Sequence, residues 1–106
     1  MKLKPAIVRQ LAQKDTDEAV DYYLREAGVD AALGFIDSLQ KAYLHLGRYP
    51  QSGSSRYAHE LDLPGLRTWP VSRYPFIVFY LEQADHLDIW RVLHSQRDIP
   101  AWLCEE

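Results

Sequence analysis

Apolar residues recur at helical spacing twice in the first half of the chain and at strand spacing in the second half. Behind Asp15-Thr16-Asp17-Glu18, the residues Ala19, Val20, Tyr23, Leu24 and Ala27 fall on one helical stripe. Asp15 with Glu18 three positions on has the form of a capping box, so a helix is expected to open there and to stop at Gly28. Asp30 is placed to cap a second helix. Its stripe is Ala32, Phe35, Ile36, Leu39, Ala42, Tyr43 and Leu46, with Gly47 at its end. The gap of about two residues between the stripes forces an antiparallel αα-hairpin whose inner face is core.

Strand signals surround this hairpin. Residues 3–9 read as a short strand, with Pro5 favouring an edge. Residues 48–60 are rich in Pro, Gly and Ser and are expected to form a mobile loop, with residues 59–63 starting the sheet and Pro64-Gly65 turning it. Residues 66–71 predict a strand. Residues 76–82 are a continuous apolar and aromatic run, as in a central strand buried on both faces. Residues 83–86 read as a hairpin loop before a last strand over 87–94. Simple alternation there puts Leu87, Ile89, Arg91 and Leu93 on one face and Asp88, Trp90, Val92 and His94 on the other. Residues 98–106 are expected to be a short helix or tail. The order β-α-α-β-β-β predicts an α/β fold of the α+β type, in one domain over 1–106. Its twisted antiparallel sheet would be covered on one face by the hairpin.

Composition narrows the function. The net charge of −3 does not suit a generic nucleic-acid binder. The cations are unevenly spread. All four lysines (Lys2, Lys4, Lys14, Lys41) precede residue 48, and from there on every cation is an arginine: Arg48, Arg56, Arg67, Arg73, Arg91 and Arg97. Arginine suits both half-exposed sheet surfaces and planar, stacked contacts with a partner, and composition does not choose between them. One cysteine, Cys104, excludes an internal disulfide and a Cys-rich zinc site and fits a reducing compartment. No apolar run reaches the length of a membrane span, and the first residues lack an apolar signal core. His45, His59 and His86 lack metal-ligand spacing, and neither a Ser-His-Asp pattern nor a phosphate-binding glycine loop is present.

The most specific string is Arg91-Val92-Leu93-His94-Ser95-Gln96-Arg97-Asp98. With Leu66-Arg67-Thr68-Trp69-Pro70, Ile77-Val78-Phe79-Tyr80, Tyr22-Tyr23 and Tyr49-Pro50, it resembles the RelE/ParE family of type II toxins, in the ParE-like branch, over nearly the whole chain. The resemblance implies a toxin that arrests growth, poisons DNA gyrase and is held in check by a cognate antitoxin in a hetero-oligomer in the bacterial cytoplasm. RelE-like members are instead ribosome-dependent mRNA endonucleases. They carry an arginine in the central strand, an arginine after the last strand and a C-terminal tyrosine. Here Arg97 matches the second, Ile77 stands at the first, and Trp102-Leu103 stand near the third. The resemblance therefore implies a non-catalytic inhibitor without cofactor or metal. A nuclease reading would have to rest on Arg97, His94 and Arg73, acting on mRNA at the ribosome. The expected target-binding residues are Arg67, Trp69, Arg73, His94 and Arg97. His94 has a second reading, as a strand-end residue that bonds a backbone carbonyl and anchors the following turn.

Overall fold

In a computed structural model that describes residues 3–96, strand β1 (Ala6–Val8) leads into helices α1 (Gln10–Glu26) and α2 (Val29–Arg48). A 3-10 turn (Pro50–Ser52) and a short helix α3 (Arg56–Glu60) follow. Then come strands β2 (Leu66–Pro70), β3 (Phe76–Glu82) and β4 (Leu87–His94). The fold is mixed α/β, as the patterning predicts. The expected short helix or tail over 98–106 lies outside the described residues.

Helix α1 opens five residues before the expected cap. Gln10-Leu11-Ala12-Gln13-Lys14 are favourable helix formers, and Arg9, in extended geometry, is the N-cap residue with no side-chain cap bond. Asp15 is therefore not a cap: it lies inside the helix, on the buried row Ala12, Asp15, Ala19. Leu24 and Ala27, assigned to the inner stripe by spacing, are exposed. The chain reverses at Gly28, whose φ of 97° suits glycine and whose N–H donates to the Tyr23 carbonyl. Gly28 is itself the N-cap of α2, and Asp30 makes no side-chain cap bond; it lies in the first turn, where its charge favours the helix N-terminus. The rest of the α2 stripe packs inward as expected, through Ala32, Phe35, Leu39, Ala42 and Leu46.

The four strands lie in the order β1-β4-β3-β2. β2, β3 and β4 form the expected antiparallel meander, but β1 joins β4 in parallel, pairing Ala6 with Leu87 and Val8 with Ile89. The sheet is thus mixed, not purely antiparallel. A strand followed by a two-helix crossover can return parallel, and two ion pairs fix it there. Arg9 makes a bidentate contact to Asp88 at 2.9 and 2.8 Å, and Lys4 meets Glu82 at 2.8 Å. β1 is an edge strand, as Pro5 suggests.

The pairing of β3 with β4 shifts register where Phe79 faces Arg91 and Tyr80 faces Ile89, leaving Trp90 unopposed. This irregularity breaks the simple alternation. Ile89 and Val92, three positions apart, enter the same core cluster under the helices, together with Leu87, Phe35, Leu39, Leu46, Val78 and Tyr80. The expected grouping of Val92 with Asp88 and Trp90 is overturned. A second cluster, on the other face, gathers Leu66, Phe79 and Leu93 beneath Tyr57, Ala58 and Leu61. β3 therefore contributes to both cores, as its continuous apolar run requires.

Residues 48–60 are not the open loop expected, and residues 59–63 do not start the sheet. Tyr80 reaches across from β3, donating its hydroxyl to the Pro50 carbonyl at 2.7 Å and accepting the Gly53 N–H at 3.1 Å. A Cβ on Gly53 would collide with that hydroxyl and with the Thr68 carbonyl, so only glycine allows the approach.

Candidate partner-binding sites

Two concave surfaces stand out. The first is a cleft of about 430 Å³ between α1 and the end of the sheet where β3 begins and β4 finishes. Helical spacing places Asp15, Glu18, Ala19 and Tyr22 along its α1 wall, with Tyr23 beside them. Phe76, Val92 and His94 form the sheet wall. The aromatic rings meet edge to face: Tyr22 with Tyr23 at 5.3 Å, Tyr23 with Phe76 at 6.3 Å, and Phe76 with His94 at 5.2 Å.

At the inner end of this cleft lies a buried ion pair. The Arg91 guanidinium donates to both Asp15 carboxylate oxygens at 2.8 and 2.9 Å, and the Val92 N–H adds a third bond at 3.1 Å. Arg91 and Asp15 are 3% and 9% exposed, so their charges meet each other inside the protein rather than in water. Asp15 thus ties α1 to β4 next to the register shift. Separated by 76 positions, the two residues give no local signal of this pairing.

The second surface is a furrow of about 470 Å³ along the outside of the hairpin, lined by Val20, Leu24, Ile36, Leu39 and Tyr43. Exposed Leu33 and Leu44 lie on the same helix, α2, at helical spacing from Gln40 on its rim. Tyr43 is mostly buried, and its hydroxyl has no hydrogen-bond partner among the described residues. Burial first, and the Asp15 charge second, push its phenol well above the ordinary value of 10.0.

Of the expected target-binding residues, Arg67, Trp69, Arg73 and His94 are described, and they occupy different places on the fold. Arg67 donates to the Gln51 and Gly53 carbonyls at 3.2 and 2.8 Å, clamping the turn before α3. Trp69 packs against the helix-side core and stacks on His45 at 4.5 Å. Arg73 is exposed in the β2–β3 turn, with φ of 71°, beside Lys41 and Ser38 of α2. His94 lines the first cleft, and its Nδ1 accepts the Gln96 N–H at 3.0 Å, so it contacts the following turn through an N–H rather than the expected carbonyl. Arg97 lies outside the described residues, as do Trp102 and Cys104. Arg73 and His94 share the end of the sheet at which the β2–β3 turn lies, since Phe76 pairs with His94. Arg67 and Trp69 lie farther along β2, opposite Tyr80 and Val78.

No group of three or more His, Cys, Asp or Glu able to hold a metal occurs among the described residues. No helix among them is long and apolar enough to cross a membrane. A helical hairpin thus lies on a meander with one parallel edge strand and bears both a cleft and a furrow. The chain belongs to the ParE toxins of the parDE type II toxin–antitoxin system, whose family model matches residues 6–99. Among solved structures, it is similar to a chain from a structure described as the chromosomal ParDE toxin–antitoxin system from P. aeruginosa. The TM-score is 0.70 at 20% identity, over 87% of this chain and 96% of that one. At that identity the likeness concerns the fold. Comparison with curated proteins finds no significant match.

Proposed function

We propose that this toxin inhibits DNA gyrase and is neutralised by a cognate antitoxin seated on the helical hairpin. Membership of the ParE family carries the reading. The chemistry of the sheet supports it. At the central-strand position where RelE-like nucleases carry an arginine, Ile77 packs against the apolar cluster of Leu66, Phe79 and Leu93. His94 offers a poor general base, because the Nδ1 lone pair that would take a proton already accepts the Gln96 N–H. The apolar furrow among the described residues runs between the two helices, and it suits a helix-in-groove partner.

The deciding experiment is a gyrase assay with relaxed plasmid, ATP and increasing purified toxin, scoring both supercoiling and cleaved-complex DNA. Inhibition with accumulation of linear DNA is expected. Unaffected supercoiling, from folded protein that arrests growth in cells, would overturn the gyrase reading and direct attention to mRNA cleavage at the ribosome.

A further inference from the structure

We propose that the cleft between α1 and the β3–β4 end is a socket for one cationic side chain, an arginine or a lysine, presented by a partner polypeptide. Three observations converge on it. The cleft walls are aromatic: Tyr22 and Tyr23 on α1, Phe76 and His94 on the sheet. Ring faces carry negative quadrupole density and attract cations within about 6 Å of the centroid. The protein uses the same chemistry elsewhere, with the Arg9 guanidinium 4.7 Å over the Trp90 ring.

The charge at the cleft is the second observation. Asp15, at its inner end, is already neutralised by Arg91 through both carboxylate oxygens. Glu18, one turn further along α1, is exposed at the rim and has neither hydrogen bond nor ion pair among the described residues. Among the described residues that line the cleft, the charge left unmatched is therefore a single carboxylate beside aromatic rings. An anion would be repelled by it. A purely apolar group would strip water from Glu18 without replacing its hydrogen bonds. A guanidinium or ammonium on an apolar stem satisfies both parts, the stem against the rings and the head at Glu18.

Size is the third. At about 430 Å³ the cleft is too roomy for a bare ion. It accepts a long side chain and leaves exposed Tyr22 and Pro75 as shoulders for the residues flanking it. Tyr22 is 52% exposed, so its ring is open to contact from outside. The inference is independent of which protein the toxin inhibits.

The test titrates isotope-labelled toxin, alone, with N-acetyl-arginine methylamide and with its uncharged isostere N-acetyl-citrulline methylamide, reading NMR shifts. Saturable shifts of the Tyr22, Phe76 and His94 rings are expected with arginine, and markedly weaker ones with citrulline. Glu18→Gln, at an exposed site that leaves the fold intact, should weaken arginine binding by about fivefold, the scale of an exposed ion pair. Asp17→Asn, on the furrow side of α1, should leave it unchanged. Equal binding of citrulline, an unaltered affinity in Glu18→Gln, or no saturable shift at tens of millimolar arginine would each overturn the proposal. So would binding that emerges only in Arg97→Ala, which would make the occupant the chain's own arginine. Because neither gyrase nor antitoxin is present, the result is separate from the fate of the gyrase reading.

Discussion

Tyr43 and Tyr80 are both tyrosines turned into the protein, and their hydroxyls lead opposite lives. The Tyr80 hydroxyl is bonded twice, to the Pro50 carbonyl and the Gly53 N–H, and so stitches β3 to the turn after α2. Tyr80→Phe should therefore destabilise the fold by about 1–3 kcal/mol in urea denaturation, because it strands two backbone groups. Tyr43 has a hydroxyl without a partner. Tyr43→Phe should cost nothing or stabilise by about 1 kcal/mol, since it removes an unsatisfied buried group. The two phenols also bear on alkaline stability. Burial raises the Tyr43 phenol above 10.0, so the folded chain keeps a proton that the unfolded chain gives up. That stability is complete below about pH 10 and is lost as pH climbs toward the folded value. Tyr23 and Tyr80 shift in the same direction, chiefly through burial. The contrast between wild type and Tyr43→Phe isolates one contribution: the variant should lose less stability between neutral and strongly alkaline pH.

At the level of elements, α1 and β4 are joined by more than apolar contact. Asp15 accepts two bonds from Arg91 and one from the Val92 N–H. Removing Asp15 takes from the buried Arg91 guanidinium the carboxylate that accepts two of its bonds. Asp15→Ala should accordingly cost about 3–5 kcal/mol in urea denaturation. Asp15→Asn keeps an acceptor for the Val92 N–H and should cost less; equal losses would show that this third bond contributes nothing. The same contact explains why α1 starts before the residues that resemble its cap. Asp15-Thr16-Asp17-Glu18 has the composition of a helix N-terminus, but the acid faces a cation in a strand far along the chain. A local rule assigned a residue whose role is tertiary. The turn after α2 is a related case. Its Pro, Gly and Ser content signals a loop, and spacing cannot show that Arg67 and Tyr80 fasten it from the sheet.

Over the whole molecule, the hairpin offers one face to the sheet and keeps apolar side chains on the other. Leu24, Leu33 and Leu44 are about half exposed, at 45%, 57% and 56%. A double substitution, Leu24→Glu with Leu33→Glu, should leave the circular dichroism spectrum unchanged. It should weaken antitoxin binding at least about tenfold, or 1.4 kcal/mol, by calorimetry. Gyrase inhibition by the free toxin should persist in that variant if target and antitoxin use different surfaces. Full antitoxin affinity in a folded double variant would remove the furrow as the seat.

What the sequence by itself determined is what local periodicity can encode. The two helical stripes, the reversal at Gly28, the central run over Phe76–Glu82 and the meander into Leu87–His94 all follow from spacing and turn chemistry within a few residues. The family was also legible, because its most specific string lies in β4 and just beyond it. Tertiary structure alone decided how distant parts meet: β1 parallel to β4, the register shift at Trp90 that moves Val92 into the helix-side core, and the pairing of Asp15 with Arg91. It also separated Arg67 and Trp69, which brace the fold, from His94, which lines a cleft. The physical reason is the same throughout. Side-chain period and turn propensity are set by neighbours along the chain, whereas pairing, burial of charge and the shape of a cleft depend on contacts between residues tens of positions apart.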